Sequence, residues 1–264
     1  MKILFMKTSI TKLLGALVLA ATFTAAQDAR AAVCNCAACA VLGGTHQAPA
    51  GSFILATNIE VEGHGDEDET AWNLALSYGI TERVAFSLYA RTAIEERGLT
   101  LEAIAPSMQF LLHRFEAGGR EFHLHLEVGG QIAPQGEEDE ENPHAADTSV
   151  IASHERSLFF ARLELDTKIG TTLFAAGFLF TQYTEGDRET RPGYSARMLT
   201  ELAEKTLFGI EVGGDIGAGR GYHEAAATIY HQLTEKVQLH FGGSYGISED
   251  SPVRAIRAGF SVRI

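Results

Sequence analysis

The sequence predicts an all-β chain, a single transmembrane, antiparallel, up-and-down β-barrel of about twelve strands. Three observations carry that prediction. Apolar and polar residues alternate in stretches of about ten from Phe53 to the last residue. The links between stretches alternate between short turns and longer, acidic segments. An export leader opens the chain. The alternation is plainest in Phe122-His123-Leu124-His125-Leu126-Glu127-Val128, where every second residue is apolar and those between are ionisable. Successive side chains of a strand point to opposite faces, so this stretch has one lipid-compatible face and one strongly polar face.

The leader has a basic start (Lys2, Lys7, Lys12), an apolar core from Leu13 to Phe23, and small residues at the cleavage positions of Ala29-Arg30-Ala31. Residues 1–31 therefore read as a signal peptide, residues 32–51 as a Cys-containing periplasmic segment, and residues 52–264 as the barrel. The apolar core is too short for a membrane helix, and no other segment approaches the ~18 apolar residues one requires. Any membrane crossing must be made by strands. Removing residues 1–31 takes away four basic residues and one acid, leaving 17 basic and 33 acidic, a net of −16. Such a balance excludes nucleic acid as a partner, which needs a basic footprint. The acids cluster at 66–69, 137–141, 185–189 and 249–250, all in links, where like charges stay hydrated.

Period-two patterning and turn residues place the strands at 52–62, 69–79, 83–94, 99–115, 120–133, 156–167, 171–184, 193–203, 206–217, 222–233, 236–247 and 253–264. The short turns are Thr81-Glu82-Arg83, Ala117-Gly118-Gly119, Lys168-Ile169-Gly170, Glu204-Lys205 and Thr234-Glu235-Lys236. Outer-membrane barrels have short periplasmic turns and long outer loops, and an even strand count puts both termini on the periplasmic side. The expected location is the outer membrane of a Gram-negative bacterium. Lipid and the outer-membrane assembly machinery are the expected partners. Trp72, Leu74, Leu76 and Tyr78 form one outward row, Phe174, Ala176, Phe178 and Phe180 another, and Val237, Leu239, Phe241 and Tyr245 a third. The final Gly259-Phe260-Ser261-Val262-Arg263-Ile264 is similar to the C-terminal assembly signal of outer-membrane proteins, with Ile where Phe is usual.

The opposite face collects Arg91, His113, His123, His125, Glu127, Arg162, Glu164, Asp166, Arg197, Glu201, Glu211, Asp215, Glu224, Gln238, His240, Arg257 and Arg263. An Arg or Lys facing lipid at midplane costs about 2–4 kcal/mol, so these side chains must line water or pair with one another. Two readings stand side by side, a stiffening lattice of Arg–carboxylate pairs and a selectivity lining for a polar or charged solute. His123 and His125 lie two apart on one face, a spacing at which both imidazoles reach one metal ion, and His113 on the preceding strand is expected to join them.

All three cysteines fall in Cys34-Asn35-Cys36-Ala37-Ala38-Cys39. Cys-x-x-Cys-His haem attachment fails because Ala40 stands where His is needed. A Cys36–Cys39 disulfide in an oxidising compartment and soft-metal capture by Cys34, Cys36 and Cys39 with His46 both remain open. No other cofactor is implied. Nor does any nucleophile elbow, phosphate loop, dinucleotide fingerprint or His-Glu-x-x-His occur, and the chain is expected not to be an enzyme.

Tyr78-Gly79-Ile80-Thr81-Glu82-Arg83-Val84-Ala85-Phe86, and again His231-Gln232-Leu233-Thr234-Glu235-Lys236-Val237, resemble a turn of a broad group of proteobacterial outer-membrane barrel transporters, among them phenol-degradation meta-pathway proteins. The resemblance implies an outer-membrane location and solute passage, and carries no site residues over. The expected function is a pore or transporter for small hydrophilic solutes or ions, cation-preferring because carboxylates outnumber arginines on the polar face. Two alternatives are a metal-handling or redox-partner protein working through the Cys segment and a closed structural or adhesin-like barrel.

Overall fold

The computed structural model describes residues 48–64, 67–95, 98–133, 157–183, 190–216, 223–247 and 254–264. The leader, the three cysteines with His46, and the acidic clusters at 137–141, 185–189 and 249–250 lie outside the described residues. Twelve strands are present: β1 (Phe53–His64), β2 (Glu67–Thr81), β3 (Val84–Glu95), β4 (Gly98–Ala117), β5 (Arg120–Gln131), β6 (Leu158–Ile169), β7 (Thr172–Tyr183), β8 (Thr190–Ala203), β9 (Thr206–Asp215), β10 (His223–Gln232), β11 (Val237–Gly246) and β12 (Arg254–Arg263). Each pairs antiparallel with its neighbours in sequence, and β1 pairs with β12 to close the barrel. Closure satisfies every strand edge, the condition for a sheet to exist in lipid.

The seam is held at its end by reciprocal bonds between Phe53 and the terminal Ile264, at 3.2 and 2.9 Å. At the same end, the β4–β5 turn uses Gly118 and Gly119, both at positive φ (61° and 73°). That geometry suits a two-residue hairpin, whose twist matches that of its strands only when both central residues are left-handed. Residues just ahead of β1 pair with β2. Ala50 bridges to Gly79, and Gly51 N–H donates to the Gly79 carbonyl at 2.7 Å. A β-carbon on Gly79 would meet the Pro49 and Ala48 carbonyls, so the incoming chain lies against the inward side of β2.

The faces obey the alternation. Phe178, Phe241 and Tyr245 are each more than half exposed, while Arg91, Arg162 and Glu224 are at most 2% exposed. In a barrel that order means an apolar exterior for lipid and a polar interior. Aromatic pairs stand on the outer surface at the short-turn end: Phe53 stacks on Tyr78 at 4.4 Å and Phe115 on Phe122 at 5.3 Å. Tyr78, whose ring is amphipathic, suits the boundary where lipid meets water, and the phenylalanines of these pairs suit the aromatic girdle of such barrels.

Two bulges in β4 alter the inward–outward count. One lies opposite Arg91/Thr92 and the other between Leu111 and His113. Each inserts one residue and so exchanges faces for the residues beyond it. The second corrects the expectation for His113. It pairs with Leu124 on the outer face, stacks on Phe115 at 5.9 Å, and does not join the histidines of β5.

Candidate functional site

The interior holds two networks of charge and one imidazole–carboxylate cluster. The first network centres on Arg91 of β3. Its guanidinium meets Glu60 (3.1 Å) and Glu62 (3.3 Å) of β1, Glu69 of β2 (3.1 Å) and Glu102 of β4 (2.8 Å). Glu60 also pairs with Arg257 of β12, whose other arm reaches Glu224 of β10 at 3.7 Å. Asn73 donates to Glu60 (2.8 Å) and to Asn58 (2.9 Å), and the Tyr89 hydroxyl donates to Asn73 at 2.6 Å.

The second network occupies the other wall. Arg162 of β6 meets Glu127 of β5 at 3.4 Å, and Ser107 donates to the same carboxylate at 2.8 Å. Arg197 of β8 meets Glu164 of β6 at 3.0 Å. Glu211 lies opposite Arg197 in the β8–β9 register and is buried. Near the short-turn end Lys168 approaches Glu201 at 4.0 Å. All these pairs join strands one or two apart. They therefore run along the wall rather than across the lumen.

The expected interior residues of β3, β5, β6, β8, β9, β10, β11 and β12 thus fall on the inner face. Asp215 is placed only by its backbone pairing with Gly193. His240 is buried beside Gly259, and neither ring nitrogen has a hydrogen-bond partner among the described residues. A β-carbon at Gly259 would meet the His240 ring, Asn58 and the Thr57 carbonyl, so glycine there makes room for the imidazole.

Glu60, Glu62 and Glu102 escape the sequence reading for different reasons. Glu60 and Glu62 alternate with Ile59 and Val61, so the signal for them was present in β1. Glu102 shares parity with the outward Ile104 and Pro106, and only the bulge turns it toward Arg91. Among the described residues no helix is long and apolar enough to cross a membrane.

His123 and His125 converge on Asp166 of the neighbouring β6. His123 Nδ1 lies 3.1 Å from Asp166 Oδ1, and His125 Nε2 lies 2.9 Å from Asp166 Oδ2. Asp166 takes the place expected of His113, because the β5–β6 register sets it directly opposite His123.

No protein family and no curated protein matches the chain in sequence. Solved structures do match in shape. An outer membrane channel from Pseudomonas putida F1 superposes with a TM-score of 0.57 at 14% identity, over 85% of this chain and all of that one (100%). The NanC porin gives 0.55 at 8%, over 80% and 98%, and the KdgM porin 0.53 at 7%, over 79% and 98%. This is the outer-membrane porin and channel fold. An outer membrane phospholipase A from Escherichia coli also matches, with a TM-score of 0.50 at 11% identity over 83% and 94%. The fold by itself therefore does not choose between passage and chemistry.

Proposed function

We propose that this chain is a narrow, cation-preferring channel of the Gram-negative outer membrane. One observation carries the reading. Among the described residues the buried ionisable side chains include seven carboxylates (Glu60, Glu62, Glu127, Glu164, Asp166, Glu211, Glu224) against four guanidiniums (Arg91, Arg162, Arg197, Arg257), a formal charge of −3 with every group ionised. Charged rings at close quarters set ion selectivity, and a low-dielectric wall focuses their field. The near-complete burial of Arg91, Arg162 and Glu224 against neighbouring strands supports a crowded polar wall, which favours ions over bulky solutes. A barrel of twelve strands is only somewhat wider than the ~8-stranded kind whose interior is filled. The porin-like shape and the turn resemblance at Tyr78–Phe86 support passage as well.

The test is conductance of the purified protein in a planar bilayer under a salt gradient. We expect stepwise conductance with a cation-selective reversal potential that shrinks as salt rises and screening shortens. Replacing Glu127 and Glu164 together by Gln takes the buried charge from −3 to −1 and should lower the preference. An anion preference in the unaltered protein refutes the proposed control by carboxylates. Insertion without conductance refutes the channel.

A further inference from the structure

We propose that His123, His125 and Asp166 form a binding site for a divalent transition metal just inside the short-turn end of the barrel. The inference does not depend on the channel reading. It begins with the strand register. His123 and Asp166 are direct cross-strand partners on the inner face, and His125 is the next inward residue of β5. One donor atom from each of the three can be chosen so that all lie within 4.8 Å of one another. Metal bonds of about 2.0–2.2 Å in a tetrahedral site require donors roughly 3.3–3.5 Å apart. The nitrogen–oxygen contacts of 2.9 and 3.1 Å, made to different oxygens of Asp166, need open by a few tenths of an ångström, and donor pairs as far as 4.8 Å apart must draw together to admit an ion.

Hydrogen bonding at His123 gives the second argument. Its Nε2 lies 3.3 Å from Glu121 Oε1, while its Nδ1 faces Asp166. One imidazole thus sits between two carboxylates. In the neutral ring only one nitrogen carries a proton, and the other presents a lone pair. With the proton on Nδ1 the ring donates to Asp166; with the proton on Nε2 and donated to Glu121, a lone pair faces an Asp166 oxygen, an arrangement that a cation between them relieves. A metal ion supplies that cation, and Glu121 then becomes the outer carboxylate that fixes the ring's tautomer, a recurring support for metal-bound histidine. The carboxylates of Asp166 and Glu121 together match a dication. Two imidazoles with one carboxylate suit zinc, nickel or copper(II) in preference to calcium or magnesium. The His123 side chain is 33% exposed, so solvent reaches this edge of the cluster.

The probe is zinc, titrated calorimetrically into the full-length barrel with Cys34, Cys36 and Cys39 replaced by Ser so that thiolates do not contribute. One equivalent should bind. His125→Ala and Asp166→Asn should each weaken binding by at least the ~10–100-fold that loss of even an outer-shell partner costs. His231→Ala, on the outer face, should leave it unchanged. Cobalt(II) in place of zinc should give visible ligand-field bands that disappear in the His125 variant. Each variant is checked for the heat-dependent gel shift of a folded barrel, and the cobalt spectrum of the Cys-to-Ser parent reports the ligand set with the proposed site itself unaltered. A folded barrel that binds no zinc, or folded variants that bind it as tightly as their parent, overturns the proposal.

Discussion

Replacing Arg91 by Met removes the counter-charge of four carboxylates while keeping most of the side chain's bulk. The consequences differ among them. Glu60 retains its contact with Arg257, whereas Glu62, buried on the inner face, loses its contact with Arg91 and keeps the field of Arg257. Glu69 is 39% exposed and Glu102 18%, so water takes over part of what Arg91 supplied. Exposed pairs contribute about 0–1 kcal/mol each, while removing one partner of a buried pair costs about 3–5 kcal/mol, because it leaves an uncompensated buried charge. The expected loss is therefore about 3–5 kcal/mol, dominated by the buried pair of glutamates. The assay is reversible urea or guanidinium unfolding in lipid vesicles, followed by fluorescence of Trp72, the chain's single tryptophan. Adding Glu62→Gln to the Arg91→Met background should recover part of the loss, since contacting residues couple by about 0.5–3 kcal/mol. Arg91→Lys should fall between the parent and Met, because an ammonium keeps the charge and loses the fork that reaches several carboxylates together. A loss below about 1 kcal/mol for Arg91→Met, or no recovery in the double variant, would refute the claim that this network holds the wall together.

Other parts of the barrel give further expected outcomes. An epitope inserted at Glu138, in the link between β5 and β6, should be labelled on intact cells, and one at Gly118 should not; labelling of Gly118 alone would reverse the orientation. Gly259→Ala should destabilise by about 1–3 kcal/mol, because the new β-carbon meets the Thr57 carbonyl and the His240 ring at a closed seam. Gly118→Ala has open space around it and should cost about 1 kcal/mol through its left-handed backbone alone. Equal losses at both positions, read from the same unfolding curves, would remove the steric account of Gly259.

All twelve strands were legible in the sequence to within a few residues at their ends. A barrel in lipid must keep one face apolar and the other polar along every strand, so the period of two is enforced throughout. The Gly118-Gly119 hairpin was legible for an equally local reason, since its geometry depends on residues that tolerate positive φ. Each strand pairs with its neighbour in sequence, but the contrast between short turns and longer acidic links holds only in part: the links at 65–66 and 96–97 are two residues long, and Glu67, Asp68 and Glu69 belong to β2.

The functional interior was legible only as a set of charges on one face. The sequence by itself determined that Arg91, Glu127, Arg162, Glu164, Arg197, Glu224 and Arg257 turn inward, because lipid excludes them from the other side. The tertiary structure decided which of them meet. Cross-strand partners depend on register, and the segment from 134 to 156 between β5 and β6 gives no local rule for setting Asp166 opposite His123. Barrel closure alone brings Glu60 to Arg257, 197 residues apart in sequence. The two bulges in β4 turned Glu102 inward and His113 outward, because one inserted residue exchanges lumen for lipid along what remains of a strand.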